Sequence, residues 1–491
     1  APPSPAPMAP IGPLLGARTT QAALLAIRGG GGDASALLGV AGATAALTKA
    51  VVGLGVLTLA NGISSGTGVG PATIAMATTT AVGAYTFSLV GEVCDLSGLG
   101  AASTFQNLWV ASMGVSSLWL LQSAIVSLCF SLCTVYLLCL GELLPPLFTL
   151  ARAPIPLRFR RPCVLVGAAA VLPLCLQSSL SGLSFASLLG ASAVAFTCLF
   201  LVGRWLDGSY ARGGRFFDQM PPALQANVEG SPTVWQVSRE TSILVANLGT
   251  ALCAHYIAPS FYRTLAAASV SRFRIVTFSA FSIVLLISLL HALPGFFTFG
   301  KACQPLLLNN YHPTDDQPAT AARAATAASL ICSFPFMFMG LREALLPSLL
   351  AAATRLLPSL APLSPSPSAS WLLLTLIVGA PIVGTALLIE NLGLVVGLMG
   401  SVLGGALMYV VPAAMHAACL LGPLDTAGGG AVARLGAATA AAAALPAGRR
   451  VALLADIVLM LYGAVGQMLV GTAVIYNYAR EKKAAPPPKA S

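Results

Sequence analysis

The stretch ALTKAVVGLGVLTLANG, residues 46–62, places a lysine and two glycines inside a run of otherwise mostly apolar residues. Such a run can form a membrane-spanning helix, which needs about 20 consecutive, mostly apolar residues. A cation inside a membrane helix is energetically costly and therefore indicates a function, while glycine weakens a helix interior. The stretch predicts a membrane helix that opens at Gly53 and Gly55 and in which Lys49 is a candidate functional residue.

The whole chain has the composition of an integral membrane protein. Of its 491 residues, 57% are hydrophobic and 8% are charged, whereas about 25% of the residues in a soluble domain are charged. Long segments contain no Asp, Glu, Lys or Arg, namely 50–91, 96–141, 162–203, 275–300, 356–389, 391–424 and 457–479. Continuous apolar blocks favour helices over a β-barrel, whose strands alternate apolar and polar residues. The sequence therefore predicts an all-α integral membrane fold.

Apolar runs and the polar, proline or glycine residues between them divide the chain into about eleven predicted spans. These are 44–63, 69–93, 113–139, 163–178, 183–204, 241–259, 274–299, 322–347, 370–389, 392–420 and 451–477. The Ala- and Gly-rich region 428–447 is interpreted as a loop, with a twelfth span as the alternative. We expect a disordered or targeting-derived tail at 1–40, a transmembrane domain at 41–480 and a disordered tail at 481–491.

The basic residues behind the net charge of +10 are scattered among loops and tails. At those positions we expect contacts with lipid headgroups and no binding of nucleic acid. The sequence contains no P-loop, HExxH or GxSxG motif, so we predict no catalytic residues, no metal site and no cofactor. A membrane enzyme that uses His255 or Asp456 is disfavoured because neither has an acid/base cluster around it in the sequence pattern.

Each unusual residue has a structural and a functional interpretation. Lys49 either extends its flexible side chain to a membrane interface or takes part in transport. The two glycines either let helices approach closely or open the helix, so that backbone N–H and C=O groups bind a zwitterion. The segment NLGTALCAHYIAPSFYRTL, residues 247–265, supplies a second break in an inverted second half, since Pro259 removes a backbone donor. His255, beside that break, is either a packed or a functional residue.

The first span resembles the opening signature of the amino acid/auxin permease family, and KAVVGLGVL at 49–57 is most similar to vacuolar-type and proton-coupled members. Further segments that resemble the family follow in order: AYTFSLVGEVCDLSG (84–98), VLPLCLQSSLSGLSFASLLG (171–190), CAHYIAPSFYRTL (253–265), FGKACQPLLLNNY (299–311), SFPFMFMGLREAL (333–345) and GLMGSVLGGALMYVVPA (397–413). The resemblance implies a fold of the APC superfamily type, a five-plus-five inverted repeat with broken first and sixth helices.

The resemblance also implies roles for individual residues. Helix breaks are expected at Pro259 and Pro335. Lys49 stands where sodium-coupled relatives carry an asparagine that helps to hold the ion, so its fixed charge implies coupling to protons. The residues expected to bind substrate are Gly53, Leu54, Gly55, Ala254, His255 and Ser333.

We therefore expect a secondary active transporter of neutral amino acids, a proton-coupled symporter that acts as a monomer. Its expected partners are the amino acid substrate, the proton and membrane lipid. Two alternatives remain open: an amino-acid-sensing receptor with a transporter-like fold, and a Na⁺-coupled amino acid symporter. A vacuolar or other internal membrane, the plasma membrane and a plastid envelope are all open locations.

Overall fold

The computed structural model describes residues 37–100, 103–176, 184–225, 234–356, 367–422 and 431–484. The predicted tail at 1–40 lies almost wholly outside these ranges, as does most of the predicted tail at 481–491. The division of the chain into two tails and one membrane domain therefore stays a prediction.

The described residues fold as helices, most of them joined by short turns, with longer connections between Asp207 and Thr241 and between Phe299 and Gln317. In chain order the helices are α1 Val40–Val51, α2 Leu59–Ser64, α3 Val69–Leu96, α4 Phe105–Met113, α5 Leu118–Leu150, α6 Arg160–Cys175, α7 Ser184–Asp207, α8 Thr241–Leu252, α9 Ala258–Thr264, α10 Val270–Phe299, α11 Gln317–Leu356, α12 Pro367–Leu388, α13 Leu392–Leu398, α14 Val411–Leu421, α15 Ala431–Ala444, α16 Ala447–Leu461 and α17 Gln467–Ala484. A π-helical segment, Met399–Val410, continues α13 into α14, and a shorter one, Tyr462–Gly466, joins α16 to α17.

The membrane-spanning character predicted from the sequence is confirmed. Within the described residues, 8 helices are long and apolar enough to cross a membrane, or 9 if the bent pair α1 and α2 is one span. The two remaining predicted spans, 163–178 and 370–389, correspond to α6 and α12. Helix α6 has 16 residues, and only the 375–388 part of α12 appears among the shorter apolar helices. The total of about eleven spans and the inverted repeat stay predictions.

Side-chain caps fix where several helices begin. Thr104, Ser269 and Asn391 each accept a hydrogen bond from the backbone N–H three residues further on, at the starts of α4, α10 and α13, which satisfies a donor that the first helical turn leaves free. The prediction of a loop at 428–447 was wrong. Residues 431–444 form α15, because alanine, which dominates this segment, is the strongest helix former.

The helices differ in how deeply they lie in the bundle. The spans around α5, α8 with α9, and α13 with α14 are the most buried, while the span of α16 and α17 is the least buried. The exposed leucines and isoleucines of the outer helices suit contact with lipid. The broken helices described next therefore lie in the interior, where backbone groups without helical partners are tolerated if they line a cavity.

Candidate substrate and coupling site

The first break lies between α1 and α2. Helix α1 ends at Val51, Val52 and Gly53 are extended, and a 3-10 helix over Leu54–Thr58 leads into α2. The two parts of the span are bent by 52°. The backbone N–H of Val52 donates to Thr48 O at 2.9 Å, which closes the first part. The predicted opening at Gly53 is thus present in the structure.

The break changes the hydrogen bonding of the backbone around Gly53, whose carbonyl oxygen accepts from Val56 N–H at 3.4 Å. The first N–H groups of a helical segment have no partner inside the segment, and here they belong to the residues that start the 3-10 helix after Gly53. Gly53 itself is exposed. N–H groups at a helix start attract a carboxylate, and free carbonyl groups at a helix end accept from an ammonium group. The arrangement suits the two charged ends of a zwitterion.

A second break interrupts the sixth predicted span. Helix α8 ends at Leu252, Cys253 and Ala254 leave helical geometry, and a 3-10 turn over His255–Ile257 leads into α9. The N–H of Ala254 donates to Leu252 O at 3.0 Å in a tight turn. Pro259, the residue expected at this break, lies directly after it in the first turn of α9, where its missing N–H has no helical partner to lose.

The two broken helices touch directly. A Cβ built on Gly55 would lie 2.6 Å from the Cα and 2.8 Å from the N of Ala251 in α8, so only glycine permits this approach. The side-chain amide of the buried Asn247 donates to Thr58 O at 3.0 Å. Each of the two interpretations therefore applies to one glycine. Gly53 lies in the opened backbone, and Gly55 allows the close contact between helices.

His255 is held by helix α3. Its Nε2 lies 3.1 Å from the carbonyl oxygen of Gly83 and 2.9 Å from Thr86 Oγ1. Since the Thr86 hydroxyl donates to backbone carbonyls, Nε2 carries the proton and donates to both. The ring is fully buried and packs edge-on against Phe87. Nδ1 has no hydrogen-bond partner among the described residues. The side chain fixes the second break against α3.

Lys49 lies one helical turn before the first break and turns toward neighbouring helices. Its ammonium group lies 5.9 Å from the centroid of the Phe336 ring in α11. Its stem passes Gly190 of α7, because a Cβ built on that glycine would meet Lys49 Cε at 3.4 Å and Ser329 Oγ at 3.2 Å. A cation over an aromatic ring is attracted by the ring's negative face. Contact with α7 and α11 favours a role inside the bundle over extension to an interface.

Ser333 and Pro335 lie on α11, near the part that faces Lys49. Ser333 is half-buried and one helical turn beyond Ser329. The predicted helix break at Pro335 was wrong, because α11 runs without interruption from Gln317 to Leu356. Membrane helices tolerate proline because neighbouring helices and local adjustments satisfy the freed carbonyl. The side chain of Leu54 lies outside the described part of the structure.

The sequence agrees with this geometry. A family model described as "Transmembrane amino acid transporter protein" matches residues 38–428. The chain belongs to this family of transmembrane amino acid transporters. The family and the multi-pass fold make the protein an integral membrane transporter of amino acids and not an enzyme. The resemblance stated from the motifs is confirmed.

Two further comparisons add little to the family assignment. No sequence among proteins of curated function matches this transporter. Among solved structures, a manganese transporter from Eremococcus coleocola, in complex with an aromatic bis-isothiourea substituted compound, is similar over 90% of this chain and 94% of its own, with 10% identity and a TM-score of 0.38.

Sequence reasoning missed several residues that shape the site of this transporter. Gly190 and Ser329, which border the Lys49 stem, lie in apolar helices where small residues are common. Asn247 carried a usable signal, because an amide in a membrane helix needs a hydrogen-bond partner. Its partner, the carbonyl of Thr58, has no signature of its own, since every residue carries a carbonyl group.

Proposed function

We propose that this amino acid transporter moves neutral amino acids and is driven by protons. The observation that carries the proposal is the arrangement around the first break, where Lys49 precedes an opened backbone by one turn and lies against α7 and α11. The opened backbone supports binding of the α-carboxylate and α-ammonium groups that all amino acids share.

The residues at the two breaks favour a neutral substrate. Val52, Gly53, Gly55, Cys253 and Ala254 carry no charge. A charged substrate side chain needs a counter-charge or full hydration, because burying an unpaired charge is costly. A small or apolar side chain meets no such cost against these residues. The second break, at Ala254 and His255, supplies the opposite wall in this proposal.

The charge of Lys49 supports protons over Na⁺ as the coupling ion. An ammonium group repels a sodium ion about 4 Å away by about 4 kcal/mol at an effective dielectric constant of 20. The same ammonium group can supply in a permanent form the positive charge that a bound cation would bring. Lys49 thus takes the place of a coupling ion, and the proton gradient supplies the driving force.

Alternating access in this proposal uses the two broken helices together. Spans one to five and six to ten are proposed to form an inverted repeat around the breaks. The contact of Gly55 with Ala251 and the hydrogen bond from Asn247 to Thr58 tie the second part of the first span to α8. Rocking of the two halves then opens the breaks to either side of the membrane in turn.

The test is uptake of labelled neutral amino acids by the purified protein in liposomes. We expect uptake that follows an imposed pH gradient and is the same with Na⁺ or K⁺ in the buffer. A strict requirement for Na⁺ contradicts proton coupling and supports the symporter alternative. Measurable amino acid binding with negligible uptake contradicts transport and supports the receptor alternative.

Substitutions of Lys49 test its part in the proposal. We expect Lys49→Ala to lose the response to the pH gradient, because the fixed charge is gone. Lys49→Arg, which keeps the charge near the Phe336 ring, is the matched control and should retain the response. An unchanged response in Lys49→Ala contradicts a role in coupling and supports the interpretation in which the side chain extends to a membrane interface.

A further inference from the structure

Four charged or titratable side chains from four helices meet at a place that neither break uses. Nδ1 of His416 in α14 lies 2.8 Å from Asp456 Oδ2 in α16, and its Nε2 lies 3.6 Å from Glu92 Oε2 in α3. The other oxygen of Glu92 accepts from Arg274 in α10 at 2.5 Å. These residues form a continuous series, Arg274, Glu92, His416 and Asp456, here named the carboxylate–histidine cluster.

The geometry of the cluster favours a doubly protonated His416. A neutral imidazole has one N–H and one lone pair. Because both ring nitrogens face a carboxylate oxygen, either neutral tautomer directs its lone pair at an anion. The imidazolium form instead presents an N–H to each carboxylate. The cluster then contains two positive and two negative charges, whereas loss of the proton leaves a net negative charge.

Burial makes that negative charge costly. The exposed fraction of the side chain falls from 51% at Arg274 through 19% at Glu92 and 4% at His416 to 0% at Asp456. Asp456 Oδ1 has no hydrogen-bond partner among the described residues. An ionised carboxylate that is buried this deeply needs a compensating positive charge. Among the described residues, the imidazolium of His416 contacts Asp456 and supplies that charge.

Among the side chains that the structure describes, few other groups that titrate lie near His416. Tyr85 of α3 lies within electrostatic range of Asp456 and Glu92. Helix α4, which packs against α14, has the sequence FQNLWVASM and carries no charged side chain. Tyr409 of the π-helical segment packs its ring against Tyr462. The proton in the cluster therefore depends on His416 and its two carboxylates.

Two helices connect the cluster to the second break. Glu92 follows Thr86, which contacts His255, by six residues on α3, or about 9 Å at 1.5 Å per residue. Phe87 and Phe273 stack in this interval at 5.8 Å, so an apolar layer separates His255 from the cluster. Helix α14 continues the π-helical segment, whose Gly404 lies against the backbone of Gly249 in α8. A change in the cluster can therefore reach α8 by helix movement.

We propose that Glu92, His416 and Asp456 form a proton-binding site, separate from Lys49, whose bound proton holds α3, α14 and α16 together. Binding of the proton follows from the cluster alone. Its part in coupling rests on the proton-driven transport proposed above: release of the proton removes the positive charge between the carboxylates of Glu92 and Asp456, loosens the three helices and alters the position of α8.

The first experiment measures the proton directly and does not involve transport. The chain has only 4 histidines, so NMR of the full-length protein with ¹³C-labelled histidine in detergent resolves each ring. We expect the His416 signal at the imidazolium position at pH 7.5. In Asp456→Asn, which keeps the volume of the side chain, we expect the signal to move to the neutral position. His416→Gln assigns the signal, and elimination with His255→Gln, His291→Gln and His312→Gln replaces it if that variant fails to fold. A neutral His416 at pH 7.5 in the unaltered protein overturns the proposal.

The second experiment tests coupling in liposomes. A gradient of one pH unit can drive about tenfold accumulation of a substrate that moves with one proton. We measure the ratio of uptake with the gradient to uptake without it, so that differences in the amount of folded protein cancel. We expect the ratio to fall to about one in Asp456→Asn and to keep its full value in Glu390→Gln, whose carboxylate forms an exposed pair with Arg161. An unchanged ratio in Asp456→Asn overturns the coupling role. A ratio of one in the unaltered protein, with His416 protonated by NMR, overturns proton-driven transport and leaves the proton-binding site standing.

Discussion

Replacement of Gly55 by alanine tests whether the two broken helices depend on direct backbone contact. The added Cβ would lie 2.6, 2.8 and 3.0 Å from the Cα, N and Cβ of Ala251, whereas carbon atoms in good contact lie about 3.5–4.0 Å apart. Helix α8 or the 3-10 helix must therefore move by about 1 Å. Overpacking of this kind costs about 1–3 kcal/mol, which is a change of about 5- to 150-fold in the unfolding equilibrium.

Gly53→Ala is the matched control, two residues away. A Cβ on Gly53 would meet only the carbonyl oxygen of Val51, at 3.9 Å, and its φ of −123° and ψ of −163° suit any residue. We expect its free energy of unfolding to change by less than about 1 kcal/mol. Because Gly53 lies in the opened backbone, its added methyl group should instead weaken amino acid binding and raise the KM for uptake.

Unfolding of the purified variants in SDS-containing mixed micelles, followed by tryptophan fluorescence, gives the free energies. Uptake kinetics in liposomes give KM for the same preparations. The expected pattern is a loss of stability in Gly55→Ala and a raised KM without loss of stability in Gly53→Ala. Equal free energies of unfolding in the two variants refute the close contact of Gly55 with α8.

Two further substitutions test contacts that hold the bundle together, with the same unfolding measurement. Asn247→Ala removes the buried donor to Thr58 O and should cost about 0.5–1.5 kcal/mol, the net contribution of a typical hydrogen bond; no loss would mean that another donor replaces the amide. Asp316→Asn removes the charge that Arg204 contacts at 2.6 Å and that Tyr210 OH donates to at 2.8 Å, and should cost about 1.5–3 kcal/mol. Asp207→Asn, a more exposed partner of the same arginine, should cost about 0–1 kcal/mol, and equal losses would contradict the importance of burial.

Much of the fold follows from the sequence because lipid imposes simple conditions. A segment without charges that is long enough to cross the membrane must form a helix, and the confirmed spans are of this kind. The first break was predictable because Gly53 interrupts a strongly apolar run. Region 428–447 was misjudged because its alanines, its glycines and Pro446 give opposing signals, and the alanines decide the structure of 431–444.

The parts that were wrong or missed depend on neighbours far away in the chain. Proline weakens an isolated helix, but the packed bundle accommodates Pro335 within α11. The carboxylate–histidine cluster joins Glu92 to His416 and Asp456 across more than three hundred residues. No periodicity or spacing connects such positions, so Glu92 was indistinguishable from a hydrated helix end.

Lys49 and the carboxylate–histidine cluster are the two separate sites at which we propose that charge governs transport. A double variant tests whether the two sites act on the same step. Lys49 lies beside α7 and α11, and Asp456 lies on α16 against α14, so the two residues lie against different helices. Effects of substitutions at such separate sites add within about 0.5 kcal/mol. If Lys49→Ala with Asp456→Asn changes the free energy of amino acid binding, measured without a gradient, by no more than Asp456→Asn alone, both residues act on one step, and proton release from the cluster is what the charge of Lys49 serves. A sum of the two separate effects means that Lys49 supports substrate binding independently of the proton.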